Sequence, residues 1–133
     1  MSRFRSTLIF EDPGGLPYIL YRPLTYDSDI LGRSITIPSG FATDLASIPT
    51  GLWNILPKTG KYDAAAVVHD YLYQFNTCTR AEADAVLLEA MTVCAVGATK
   101  KRIIYWGVRL GGWRAWSRYR AGTNDPNPGG AAA

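Results

Sequence analysis

The chain has 133 residues, 47% of them apolar and 19% charged, with a formal net charge of +3. That length bounds it to one domain, able to bury about two thirds of its unfolded surface without help from metals or disulfides. The composition excludes a disordered chain, and no apolar run approaches the ~20 residues of a membrane span.

The charge is unevenly spread. Residues 1–98 carry seven Lys and Arg against ten Asp and Glu, whereas residues 99–133 carry seven against one. A basic balance that local is the kind that meets a partner. The opening Met-Ser-Arg-Phe-Arg lacks the apolar stretch and cleavage site of a signal peptide, so synthesis in the cytoplasm is expected.

Residues 4–10, FRSTLIF, read as a strand, Asp12-Pro13-Gly14-Gly15 as a turn, and 17–22, PYILYR, as a second strand, which makes a hairpin. Residues 27–33 read as a polar loop, and 34–38, SITIP, as a third strand ending at Pro38. Gly40 to Pro49 is irregular, with one helical turn expected at Trp53–Leu56. A first long helix is expected at 61–76. Thr79-Arg80-Ala81-Glu82 fits a capping box for a second helix at 80–96, closed by Gly97. A third helix, capped by Thr99, is expected at about 100–118, weakened or bent at Gly107, Gly111 and Gly112. Residues 121–133 are low-complexity tail. The expected fold is α+β: a small antiparallel sheet of about three strands (1–58) packed with a bundle of about three helices (59–120).

The chemistry concentrates on the first two helices. His69 shares a face with Ala65, Ala66, Leu72 and Tyr73. Asp84 lies in phase with Leu87, Leu88, Met91 and Cys94, an apolar stripe on which a carboxylate is costly unless paired. A short connection makes the helices antiparallel neighbours, with His69 and Asp84 at similar height. His69 then donates one ring N–H to Asp84 and keeps the other nitrogen as a base. Asp70 points about 100° away, toward a cation. Calcium suits it better than zinc, which would have one His plus carboxylates. Two readings stay open for the trio: a catalytic or metal site, or a satisfied polar network that fixes helix register. The irregular loop places Thr43, Asp44 and Ser47 together; Asp44 and Ser47 either cap loop N–H groups or complete the site around His69, Asp44 then as a second metal ligand. A Ser47–His69–Asp84 triad is formally possible, but no nucleophile-elbow pattern surrounds Ser47.

The ordered strings P-S-G-F-A-T-D-L-A-S-I-P, A-A-x-x-H-D-Y-L-Y, R-x-x-A-D and a basic Tyr/Trp-G-V-R-L-G-G-W segment resemble a phage and prophage family of unknown function, domain-of-unknown-function family 1353, over about residues 35–116. The resemblance implies a bacteriophage origin. The first helix and the following Ala-Asp are also similar to the catalytic helices of phospholipase A2, in particular the domain of parvovirus capsid proteins. That likeness implies His69 as the base, Asp70 as the calcium ligand, Tyr73 as a support and Asp84 as the residue that orients the histidine. The Gly-rich calcium loop of that family has only Gly40 and the GFATDLAS loop as a counterpart here.

From Thr99 to Arg120 seven basic residues are interleaved with tryptophans and tyrosines, and no acidic residue intervenes. The helix packs its aromatics on the fold and turns its arginines to a protein partner, or it lies on a lipid surface, or it meets nucleic acid, the least favoured of the three. Arg102, Trp106, Arg109, Trp113, Arg114 and Trp116 are the candidate partner-binding residues. Two functions follow as expectations. One is a virion or tail-associated component that binds other phage proteins or its own copies. The other is a small calcium-dependent hydrolase acting on lipid or the bacterial envelope.

Overall fold

The computed structural model describes residues 1–6, 10–11, 18–43, 63–75 and 77–122. Among the described residues six strands come first: β1 (Arg3–Phe4), β2 (Phe10–Glu11), β3 (Tyr18–Leu20), β4 (Leu24–Ser28), β5 (Arg33–Ile37) and β6 (Ala42–Thr43). Four helices follow: α1 (Asp63–Gln74), α2 (Arg80–Val93), α3 (Ala98–Gly111) and α4 (Trp113–Gly122). The α+β class is as expected.

The strands form two antiparallel three-stranded sheets, ordered β1-β4-β5 and β2-β3-β6. In the first, Leu24 pairs with Ile37 and Tyr26 with Ile35, and all four are buried. Thr25, Asp27, Ser34 and Thr36 alternate with them on the other face, the period-two pattern of a half-buried sheet. The turn between β4 and β5 needs a positive φ at Gly32 (65°), which glycine adopts without strain. In the second sheet Tyr18 pairs with Thr43, which sets β6 beside α1.

α1 is buried on most of its circumference, from Ala65 to Asp70 and at Leu72 and Tyr73, so it is the central helix. α2 begins with the expected capping box: Glu82 N–H donates to Thr79 Oγ1 at 3.1 Å, and Thr79 N–H donates to Glu82 Oε1 at 2.9 Å. Glu89 ties α2 to the first sheet, accepting from Tyr26 Oη and Ser28 Oγ, both at 2.8 Å, and from Ile30 N–H at 3.0 Å.

Several boundaries differ from the sequence reading. Leu24–Ser28, its last two residues expected in the polar loop 27–33, is a full strand, because Leu24, Tyr26 and Ser28 alternate inward. The expected 4–22 hairpin is present in its inner part, where β2 pairs antiparallel with β3, while β1 leaves it to pair with β4. Gly97 does not close α2. Ala95 takes the positive φ (61°), Val96 N–H returns to Met91 O at 2.9 Å, and Gly97 is the N-cap of α3. Thr99 therefore lies inside α3 and does not cap it. The expected third helix is two, divided at Gly112, while Gly107 continues the helix. The Asp12–Gly15 turn and the Trp53–Leu56 turn lie outside the described residues.

Candidate functional site

α1 presents His69 and Tyr73 one turn apart toward α2, their ring centroids 4.3 Å apart. Asp84, on α2, receives both. His69 Nε2 lies 2.7 Å from Asp84 Oδ1, and Tyr73 Oη donates to the same oxygen at 2.6 Å. The second carboxylate oxygen takes two arginines: Arg109 Nη1 of α3 at 2.8 Å and Arg80 Nη1, one turn back on α2, at 3.4 Å. Arg80 also donates to the carbonyls of Val108 and Arg109, which anchors α3 to α2. His69, Tyr73 and Asp84 are fully buried.

The electrostatics follow. Burial pushes the Asp84 pKa up. The hydrogen bond and charge of His69, then the bonds from Tyr73 and Arg109, outweigh it and hold the carboxyl below its usual range. Asp84 is thus an anion and can only accept, so the proton of this contact sits on Nε2. In the neutral imidazole the basic lone pair is then on Nδ1. Burial, and next the bond to Asp84, push the Tyr73 hydroxyl far above its usual value, so it stays a donor. The bond to Asp84 raises Arg109 further.

Asp70 is also fully buried, in a second network. Its Oδ2 accepts from Thr43 Oγ1 of β6 at 2.5 Å and from Gln74 Nε2 at 2.9 Å, and its Oδ1 accepts from Tyr119 Oη of α4 at 3.1 Å. Calcium would ask for converging oxygen acceptors. The described surroundings of Asp70 instead supply donors. Among the described residues no group of three or more His, Cys, Asp and Glu is close enough to hold a metal. Asp44, the other metal candidate, lies outside the described residues, as does Ser47.

The predicted partner-binding set divides. Arg102, Trp106, Trp113 and Arg114 are exposed. Arg109 is turned inward onto Asp84, and Trp116 packs edge-on against Tyr73 at 5.2 Å, so both belong to the site and not to an outer face. Sequence reasoning missed Arg80, Thr43, Gln74 and Tyr119. Arg80 and Gln74 had a signal, since each stands four residues from its carboxylate on the same helix.

An α+β fold with a His–Asp–Tyr network between its first two helices is the class these observations define. The model of the family described as "Protein of unknown function (DUF1353)" matches residues 18–108, and the chain belongs to that family. The chain is also 29% identical over 105 residues to the uncharacterized protein y4jT of Sinorhizobium fredii. That match covers 77% of this chain and 26% of the relative, so the chain spans about a quarter of the length of that relative. No solved structure matches the chain.

Proposed function

We propose that the chain is a small acyl-ester hydrolase in which His69 is the general base. The observation that supports this reading is the single carboxylate of Asp84, which orders both His69 Nε2 and Tyr73 Oη while Arg109 balances its charge. In the proposed step His69, oriented by Asp84, takes a proton from water as the water oxygen attacks the acyl carbon. The imidazolium so formed faces the Asp84 anion, and its proton passes to the departing alcohol. The phospholipase A2 likeness puts lipid or envelope esters first among substrates, and the family resemblance puts a bacteriophage first among sources. The described partners of Asp70 are hydrogen-bond donors, so no step is routed through a cation. Because His69 is fully buried, turnover requires an opened state.

A phospholipid and short-chain ester panel, run on wild type and His69→Asn with thermal stability alongside, tests the proposal. A folded His69→Asn protein that has lost activity by ~10² or more is the expected result. A folded variant with unchanged activity contradicts it.

The complete burial and full pairing of Asp84 favour a second reading, in which the network is a core lock of a phage particle component. Inactivity of the wild type across the panel, with a large loss of stability in the variant, supports that reading.

A further inference from the structure

We propose that the outer face of α3 and the first turn of α4 docks on an anionic lipid surface. Ile103, Trp106, Leu110 and Trp113 are 42%, 59%, 76% and 51% exposed. Their spacing of three, four and three residues places them in one line along the helix. Gly112, still in helical backbone (φ −70°, ψ −15°), carries the line into α4. The opposite side of the same helices, Ile104, Val108 and Ala115, is buried in the core, so the outer line is not part of the fold's own packing.

The charges flanking the line select the occupant. Residues 98–122 contain seven Lys and Arg and no Asp or Glu. Arg109 is turned inward onto Asp84, but Lys100, Arg102, Arg114 and Arg118 are exposed. A second copy laid on this face would bring arginine against arginine, the wrong pattern for a helix pair. A nucleic acid would lay its backbone over Ile103 and Leu110, aliphatic groups that neither stack with bases nor bind phosphate. A membrane interface matches both halves: indoles and Leu110 enter the headgroup and acyl boundary while the cations meet anionic headgroups. Arg114, 5.4 Å over the Trp113 ring, keeps one cation beside an indole. This surface is separate from His69, and binding is read without turnover, so the proposal stands or falls independently of the hydrolase reading.

The test is co-sedimentation of the full chain with vesicles of phosphatidylglycerol and phosphatidylcholine, or of phosphatidylcholine alone. Wild type and Trp106→Ala/Leu110→Ala/Trp113→Ala are compared, with Leu110→Lys as a milder variant. The expected result is binding to the anionic vesicles that salt weakens, about tenfold weaker binding to neutral ones, and a loss of about tenfold or more in the triple variant with its thermal midpoint retained. No binding by the wild type, equal binding to both vesicles, or full binding by both variants overturns the proposal. So does light scattering that finds a wild-type dimer and a triple-variant monomer, which assigns the face to a second copy.

Discussion

Asp84 carries one negative charge into the core and meets it with four side chains from three helices. Removing one partner of a buried pair strands the others, so Asp84→Ala is expected to lose about 3–5 kcal/mol in denaturant unfolding. Tyr73→Phe removes one donor while Asp84 keeps the rest, and about 1–3 kcal/mol is expected. The folded pKa of Asp84 is depressed. Its contribution is therefore complete above the unfolded carboxylate value near about 4 and fades as pH falls through the lower folded value. Asp27 behaves alike: hydrogen bonds from Arg5 first, then from Ser34, bring it down to about 2. Acid unfolding curves of wild type and Asp84→Asn should converge as pH drops below about 4, and a gap that persists or widens there contradicts the sign. His69, Tyr73 and Asp84 were legible because each lies at helical spacing on a stripe whose partner helix follows at once. Arg109, Thr43 and Tyr119 reach their carboxylates from 25, 27 and 49 residues away, and no local pattern records such a contact.

At the scale of elements, the α2 capping box was readable because both halves of it lie within four residues. Thr79→Ala is expected to cost about 1 kcal/mol, read from the urea midpoint. The end of α2 was not readable, since Ala95 takes a positive φ that sequence rules assign to glycine. Strand β4 was obscured by Asp27 and Ser28, polar residues that the sheet and Glu89 satisfy. The α3–α4 junction was foreseen as a weak point, but its reason is steric. A methyl group on Gly112 would stand 2.5 Å from Tyr73 Oη and from Val108 O. Gly112→Ala is expected to lose about 1–3 kcal/mol. Part of that loss should vanish in a Tyr73→Phe background, where the hydroxyl is gone, while the clash with Val108 O remains. Strict additivity of the two changes, measured by a double-mutant cycle, contradicts the contact.

Across the whole molecule, two buried carboxylates on neighbouring helices join its parts. Asp84 ties α1, α2 and α3 together, and Asp70 ties β6, α1 and α4. Around them the small sheets and helices share one apolar core, and among the described residues no helix is long and apolar enough to cross a membrane. The same network that can orient a base also holds the fold, so activity and stability must be measured on the same protein. The most direct test is ester hydrolysis by His69→Asn, with its thermal midpoint recorded in the same preparation. A fold that survives with activity reduced by ~10² or more is the expected result. A surviving fold with wild-type activity contradicts His69 as the base.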